Sequence, residues 1–166
     1  KGELAKTFWT TGHRNPLGIA FDQKNNLWAN EMGPRHGDEL NLIVAGSNYG
    51  WPLVSEGNHY SGALIPPHET RPDFASPVAY WVPTLAPSGL TFYSGNEFKN
   101  WEGHALMGGL KGKSLVRLKL RDQKVIEEER FSWRVRVRDV EVQKNGLIWV
   151  IEDGSDARLI KFSSPD

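Results

Sequence analysis

The chain has 166 residues with no cysteine, and its 20 basic and 20 acidic residues cancel to a formal net charge of zero. This balance gives no electrostatic field for nucleic acid or an anionic membrane surface, and no apolar run reaches the roughly 18 residues of a membrane helix. We therefore expect no nucleic-acid partner and no membrane insertion. Seven tryptophans, 17 glycines and 10 prolines favour strands and turns over helices, and the lack of cysteine excludes disulfides and thiolate metal sites.

Short strands, in three groups with the same layout, are the elements that the sequence predicts. Apolar residues alternate with polar ones or form brief apolar runs, whereas helical spacing is not sustained anywhere. Each group is an antiparallel meander, and the groups begin near residues 17, 88 and 138. In chain order the strands are predicted over residues 18–22, 27–31 and 39–43, then 89–93, 104–107 and 114–118, then 139–143, 147–152 and 158–162.

The second group has a fourth strand, because segments 114–120 and 124–131 flank a turn as the arms of a hairpin. Repeated four-stranded meanders are typical of β-propeller blades. Residues 3–9 resemble the outer strand of another blade. Because a propeller closes with about four or more blades, we predict an all-β fold in which residues 1–166 form the C-terminal part, about half, of one propeller domain. Its partner would be the N-terminal half of the ring, and an open sandwich of three similar sheets is the alternative.

Polar side chains stand directly before two of the predicted inner strands. In a propeller the innermost strand of each blade lines the central channel, and the loops that enter these strands meet on one face. Guanidinium groups bind carboxylates and phosphates through paired hydrogen bonds, so converging cations indicate an anionic ligand. The candidate anion site consists of His13, Arg14, Asn15, Lys111, Lys113, Arg134, Arg136 and Arg138.

Structural roles also explain these segments when each is taken alone. Arginine alternates with valine over residues 134–138, so the arginines can form one solvated strand face that pairs with Glu127 to Glu129. Residues 13–16 are compatible with an Asn-Pro turn, and residues 31–39 with a Gly-Pro turn. The joint placement of the basic segments before inner strands favours the ligand site.

Six motifs follow one another between residues 12 and 162: GHRNPLGIAFD, NEMGPRHGDELNLI, GSNYGWP, PTLAPSGLTFY, GGLKG and RVRDV. In this order they resemble the motifs of the soluble aldose-sugar or glucose/sorbosone dehydrogenases that use pyrroloquinoline quinone (PQQ). The resemblance implies a six-bladed propeller and a quinoprotein that oxidises an aldose at C1 to a lactone, with hydride transfer to the quinone. It also implies a periplasmic or secreted protein and an artificial or membrane-bound electron acceptor.

PQQ is a flat tricarboxylate and thus the kind of anion that the basic residues indicate. By the resemblance, Arg14 and Asn15 correspond to the pair that contacts the cofactor near its reactive quinone edge. Lys111 corresponds to a lysine that holds the cofactor. Arg136 and Arg138 correspond to arginines that bind its carboxylates or lie against its plane.

Two Ca²⁺ sites are also implied by the resemblance. The backbone carbonyls of Gly33 and Pro34 correspond to ligands of an ion that acts as a Lewis acid on the quinone carbonyl. Calcium takes oxygen ligands, carbonyl oxygens included, so a Gly-Pro turn can serve without a carboxylate. Glu39 and the carbonyl of Tyr49 correspond to a second, structural site.

Tyr80 and Trp81 stand where the family places aromatic side chains near the sugar. The chain departs from the family pattern at Leu17, where some members have a glutamine, and this removes a polar contact that bears on glucose specificity. The family's catalytic base is a histidine in the N-terminal half, so no catalytic residue is assigned in this chain. His13 is expected to support its loop, because in an extended segment it points away from Arg14.

General base catalysis is worth about 10²- to 10⁴-fold, so we expect the chain alone to be slow or inactive. Two functions of other classes stay open at this point. A calcium-dependent sugar lactonase on the same architecture would recruit Asn15, Asn30, Glu31 and Glu152 around its metal. A non-catalytic propeller would present aromatic and charged loop residues to a protein or a glycan.

Overall fold

The computed structural model describes residues 7–164. In this part of the chain, short strands dominate and the helices are two single 3₁₀ turns, His68–Thr70 and Lys99–Trp101. None of the helices within residues 7–164 has the length and apolarity of a membrane span. The strands are β1 (Pro16–Phe21), β2 (Leu27–Glu31), β3 (Asp38–Ile43), β4 (Ala79–Trp81), β5 (Pro87–Phe92), β6 (Ala105–Gly109), β7 (Ser114–Arg121), β8 (Lys124–Ser132), β9 (Arg136–Val142), β10 (Ile148–Asp153) and β11 (Leu159–Phe162).

The strands form three antiparallel meanders in which sequence neighbours are also neighbours in space. The first sheet has the order β1-β2-β3-β4, the second β5-β6-β7-β8, and the third β9-β10-β11. The tight turns fit their residues: Asp122 and Gln123, between β7 and β8, have φ values of 49° and 61°. Positive φ at both central residues is the backbone of a two-residue hairpin turn, whose twist matches that of the strands.

The first strands of the three sheets lie side by side, β1 against β5 and β5 against β9. Glycine permits this close approach. A Cβ on Gly18 would lie 2.7 Å from the Cβ of Leu90, and a Cβ on Gly89 would lie 1.6 Å from Oδ1 of Asp139. Adjacent inner strands with outer strands that extend away from them are the arrangement of propeller blades, and they do not fit an open sandwich.

Two apolar cores lie between the sheets. The first joins the first and second sheets, with Trp28 and Trp81 among its members, and the second joins the second and third sheets around Tyr93 and Ile148. The outward face of β1 is exposed and apolar, with Ile19 at 68% and Phe21 at 61% exposure. Exposed apolar surface of this kind is typical of an interaction face.

One strand was not predicted from the sequence, and one predicted strand lies mainly outside the described residues. The first sheet has a fourth strand, β4, which the sequence did not predict because its three residues follow a long irregular segment. The predicted outer strand over residues 3–9 lies mainly outside the described residues, and its described end, residues 7–9, is not in a strand.

Candidate functional site

The candidate site lies on the face where the chain enters the inner strands. Pro16, at the start of β1, pairs with Glu31 at the end of β2, and Pro87, at the start of β5, pairs with Gly109 at the end of β6. Arg136 begins β9 opposite Asp153 at the end of β10. The loops before the inner strands and the turns after the second strands therefore share one face, which we call the loop face.

Hydrogen bonds connect the loops of all three sheets across the loop face. The turn at residues 110–113 donates from Leu110 N to the Ala86 carbonyl at 2.8 Å and from Gly112 N to the Leu85 carbonyl at 2.9 Å. Its Lys113 carbonyl accepts from Trp133 N at 2.7 Å. The β6–β7 turn with Lys111 is thus bonded both to the loop before β5 and to the loop before β9.

Asp38 connects the first sheet to the same network. Its carboxylate is 1% exposed, and Oδ1 accepts from Gly33 N at 3.1 Å. Oδ2 accepts from Thr84 Oγ1 at 2.6 Å and from the backbone N–H groups of Leu85 and Ala86, both at 2.7 Å. The Gly33-Pro34 turn is therefore fixed to the loop before β5.

Arg14 carries a buried donor without an acceptor. Its Nη1 donates to the Met32 carbonyl at 2.9 Å, and the guanidinium carbon lies 5.4 Å from the centre of the Trp51 ring. The Nε atom of Arg14 is buried and has no hydrogen-bond partner in residues 7–164. An unsatisfied buried N–H of a cation costs free energy, which an anionic acceptor would recover.

Asn15 and His13 flank Arg14 in different environments. Asn15 is exposed, and its carbonyl accepts from Met32 N at 3.1 Å. The His13 ring lies between Thr10 Oγ1 at 3.0 Å and Glu31 Oε1 at 2.9 Å, and it stacks on the Tyr49 ring with centroids 4.5 Å apart. His13 is engaged on both nitrogens within its own loop.

Glu39 is a buried carboxylate at the inner side of this region. Burial raises its pKa to about 8, with smaller contributions from the nearby carboxylates of Glu31, Glu56 and Asp38. Its hydrogen bond from Asn41 Nδ2 at 3.1 Å acts in the opposite direction, and Asn41 Oδ1 has no hydrogen-bond partner in the described part of the chain. Buried, mutually repelling oxygens of this kind favour a bound cation.

A small cavity brings together four of the residues that the sequence assigned to the cofactor and calcium sites: Arg14, Gly33, Glu39 and Tyr49 line it. The Tyr49 carbonyl accepts from His68 Nε2 at 3.1 Å, which leaves one lone pair for a further contact. Residues 7–164 contain no group of three or more His, Asp or Glu side chains with metal-binding geometry. Calcium at this place would therefore depend on backbone carbonyls together with Glu39.

The arginines of β9 do not pair as the structural alternative predicted. Arg136 and Arg138 both contact Oδ2 of Asp153, at 3.4 and 2.8 Å, and their side chains are 61% and 48% exposed. Glu127 and Glu129 instead form ion pairs with Arg117, each with a carboxylate oxygen 2.7 Å from Nη2. The pairing with Glu127 to Glu129 was wrong because β8 faces β7 and not β9. Both exposed guanidinium groups stand at the entrance of β9.

Tyr80 and Trp81 lie at the rim. They end β4, the outermost strand of the first sheet, where Tyr80 pairs with Glu39 and Trp81 with Asp38. Trp81 is 4% exposed and donates from Nε1 to Glu128 Oε2 at 3.0 Å, whereas Tyr80 is 54% exposed. The structure thus makes Trp81 a core residue and leaves Tyr80 accessible at the edge of the loop face.

The lactonase alternative loses its two carboxylate ligands in this geometry. Glu152 binds Arg158 and Trp133, each at 2.8 Å, and the Asn30 amide nitrogen donates to the Ser88 carbonyl at 2.6 Å. Hydrogen bonds from Arg158, with Trp133 in support, lower the Glu152 pKa to about 2. Glu31 is occupied by the loop of Arg14. Structural contacts therefore occupy both carboxylates, Glu31 and Glu152, whereas Asn30 Oδ1 is buried without a hydrogen-bond partner in residues 7–164.

Two buried carboxylates organise the loop face, and sequence reasoning missed Asp38 and considered Glu31 only as a metal ligand of the lactonase alternative. Both are charged residues at strand ends, which ordinarily indicates exposure. The one available signal was their position on either side of the Gly33-Pro34 turn, since backbone N–H groups in turns need acceptors.

Comparisons with known proteins agree with this fold. The family model described as Glucose / Sorbosone dehydrogenase matches residues 1–161. Aldose sugar dehydrogenase YliI of Escherichia coli K12 is 39% identical over 162 residues, covering 93% of this chain and 43% of that protein.

Solved structures give the same result. A glucose dehydrogenase crystal structure has a TM-score of 0.88 at 39% identity, covering 95% of this chain and 47% of that chain. The PQQ-bound aldose sugar dehydrogenase of Streptomyces coelicolor has a TM-score of 0.69 at 30% identity, covering 92% of this chain and 44% of that one. The predicted all-β propeller fold is confirmed, and the chain spans somewhat less than half the length of these proteins.

Proposed function

Because the chain belongs to the glucose/sorbosone dehydrogenase family, we propose that it is the C-terminal part of a propeller that oxidises aldose sugars with PQQ. The reaction is oxidation at C1 to the lactone. The relative from Streptomyces coelicolor, described as PQQ-bound, supports the choice of cofactor. The proposed partners are the N-terminal half of the same ring, an aldose, and an artificial or membrane-bound electron acceptor. The proposed location is the periplasm or the outside of the cell.

The unpaired Nε of Arg14 is the observation that carries the proposal. This buried donor belongs to the residue that the family resemblance assigns to the cofactor, and it lies in a loop that is fixed on both sides. A carboxylate or quinone oxygen would satisfy it. Asn15 stands next to it on the exposed side of the loop, where it can contact the same ligand.

The other cofactor contacts come from the second and third sheets. Lys111 is exposed in a turn that is bonded to both neighbouring loops, so its ammonium group is presented from a fixed backbone. Arg136 and Arg138 share one acceptor, Asp153, and keep donors free for the carboxylates of a tricarboxylate. Bound there, PQQ supplies a two-electron acceptor for the sugar, and calcium supplies Lewis acidity at the quinone carbonyl.

The proposed calcium positions use oxygen atoms of the first sheet. The carbonyls of Gly33 and Pro34 belong to a turn that Asp38 fixes. The buried carboxylate of Glu39 and the Tyr49 carbonyl are the candidate ligands of the second ion. The charge chemistry fits, since Glu39 has no cationic side chain as a hydrogen-bond partner in residues 7–164.

The residues of this chain bind and orient, and the proton acceptor is proposed to lie in the N-terminal half. His13 is held by Thr10, Glu31 and the Tyr49 ring, so its role is to support the loop. Tyr80 is the accessible aromatic side chain at the rim and the candidate contact for the sugar, whereas buried Trp81 supports the strand below it.

An absorbance titration of the full-length protein with PQQ in the presence of calcium tests the proposal. Wild type is expected to bind, and Arg14→Ala and Lys111→Ala are each expected to weaken binding by about 1.5 to 3 kcal/mol, the range for a lost charge-assisted hydrogen bond. Arg71→Ala is the matched control, because Arg71 is an exposed arginine whose partner is Asp73. Absence of binding by wild type would remove the quinone assignment.

A further inference from the structure

We propose that Glu31 is a positioning residue for the cofactor, which acts by fixing the backbone of Arg14 and thereby the place of its guanidinium group. This inference rests on the proposed function, because it takes Arg14 as a cofactor contact. Glu31 itself is buried, with 3% exposure, and lies at the end of β2 behind the Arg14 loop. It is expected to contribute to binding without touching the ligand.

Both carboxylate oxygens of Glu31 are used to hold that loop. Oε2 accepts from the backbone N–H of Arg14 at 2.6 Å and makes a longer contact of 3.4 Å with the backbone N–H of Asn15. Oε1 accepts from Asn41 Nδ2 at 3.0 Å and contacts His13 Nδ1 at 2.9 Å. A carboxylate is needed here because it offers acceptors on both oxygens.

Glu31 and its neighbour Met32 both form hydrogen bonds with the loop that contains Arg14. The Met32 carbonyl accepts from Nη1 of Arg14 at 2.9 Å, and Met32 N donates to the Asn15 carbonyl at 3.1 Å. Arg14 is thus bound at its backbone N–H by Glu31 and at its guanidinium group by the Met32 carbonyl. This double attachment leaves Nε as the free buried donor.

The contact at the base determines the direction in which Arg14 leaves the backbone. Residues 13–15 are outside the strands, so no sheet ladder fixes their N–H groups. In Glu31→Gln one oxygen becomes an NH₂ group. An NH₂ group cannot accept the hydrogen bonds that the carboxylate oxygen accepts from the loop. The loop is therefore expected to lose a hydrogen bond and to move from its native position. Glu31→Gln has nearly the size of the native side chain, so packing is conserved.

A merely structural role for Glu31 would lower stability and weaken binding equally in every background. A role through Arg14 has a different signature, because the effect of Glu31→Gln should vanish once the Arg14 side chain is gone. A double-mutant cycle separates the two possibilities. Lys111 provides the comparison background, since it enters from the second sheet and shares no hydrogen bond with Glu31.

The experiment measures PQQ affinity with calcium in the full-length protein for wild type, Arg14→Ala and Lys111→Ala, each with and without Glu31→Gln. We expect Glu31→Gln to weaken binding about tenfold or more in wild type and in Lys111→Ala, and less than about twofold in Arg14→Ala. An equal loss in all three backgrounds, or no loss in wild type, overturns the inference. If wild type does not bind PQQ, the proposed function itself fails and this inference with it.

A second measurement does not need the variant to fold or the cofactor to bind. Amide hydrogen exchange of the wild-type protein without PQQ is expected to show Arg14 N–H protected although it lies outside the sheets. The comparison is the amide of exposed Lys24 in the β1–β2 turn, which donates to Asp22 Oδ1 at 2.9 Å. Exchange of Arg14 at the rate of Lys24 or faster would contradict the role of Glu31.

Discussion

The side-chain amide of Asn30 in β2 donates to the main-chain carbonyl of Ser88 in β5 at 2.6 Å, and this bond joins the first sheet to the second. The Ser88 hydroxyl continues the connection, because it donates to the Val137 carbonyl in β9 at 2.7 Å. All three residues are buried. Polar contacts between neighbouring sheets thus hold the three sheets in register with one another, and the loop face depends on that register.

We expect Ser88→Ala to lower the free energy of unfolding by about 1 to 3 kcal/mol, because it leaves the buried Val137 carbonyl without this donor. Urea denaturation of the full-length protein measures the change. Ser94→Ala is the control, since Ser94 is exposed, and it should stay within about 0.5 kcal/mol of wild type. Equal stability of Ser88→Ala and wild type would show that the bond between the second and third sheets contributes nothing.

Asp38→Asn is expected to destabilise the protein by about 2 to 3 kcal/mol. Oδ2 accepts three hydrogen bonds, from Thr84 and from the backbone of Leu85 and Ala86, and an amide cannot accept all of them together with the bond from Gly33. Asp156→Asn, at an exposed position, is the matched control. Comparable denaturation midpoints for the two variants would argue against Asp38 as the link between the loops.

Calcium is expected to raise the thermal unfolding temperature of the full-length protein, and chelation to lower it. A ligand at 100 times its Kd stabilises the folded state by about 2.7 kcal/mol. Glu39→Gln should reduce this stabilisation, because it removes the buried carboxylate proposed as a ligand of the second ion. Scanning calorimetry with calcium, with magnesium and with a chelator gives the comparison. A calcium effect of the same size in Glu39→Gln would place the ion elsewhere.

We expect Glu152, in the third sheet, to stabilise the fold in a way that is lost in acid. Hydrogen bonds from Arg158 lower the pKa of Glu152 from 4.5 to about 2. A depressed carboxyl pKa means that the unfolded chain binds the proton first as the pH falls. The stabilisation by Glu152 is therefore complete above about pH 5 and is lost between about pH 4.5 and pH 2.

Chemical denaturation of wild type and Glu152→Gln at a series of pH values checks this contribution. The stability difference between them should be constant from pH 7 to pH 5 and should shrink toward pH 2. A difference that persists unchanged at pH 2 would contradict the pKa assignment. Glu141→Gln provides the control, since Glu141 is an exposed glutamate of the same sheet.

The sequence predicted the strands well where apolar periodicity is strong. β2, β7 and β10 alternate or carry apolar runs, and their bounds agree closely with the expectation. β4 was missed because Ala79–Trp81 is too short for a period to be visible. Its place depends on pairing with β3 across a long loop, and no local pattern encodes such a pairing.

The sequence indicated which basic residues stand before the inner strands, but it did not show which partners the acidic residues Glu31, Asp38 and Asp153 bind. Arg14 and Lys111 stand beside turns whose position on one face follows from the repeat. Asp153, the partner of both Arg136 and Arg138, lies one residue beyond the predicted strand. Glu31 and Asp38 bind backbone N–H groups of loops, and the path of a loop is decided by tertiary contacts that periodicity does not contain.

The most direct test of the central claim is the absorbance spectrum of the PQQ- and calcium-loaded full-length protein before and after addition of an aldose without oxygen. We expect conversion of the bound quinone to its reduced spectrum with an aldose, and no conversion with the corresponding lactone. A loaded protein whose spectrum stays oxidised with every aldose tested would contradict the proposed sugar oxidation.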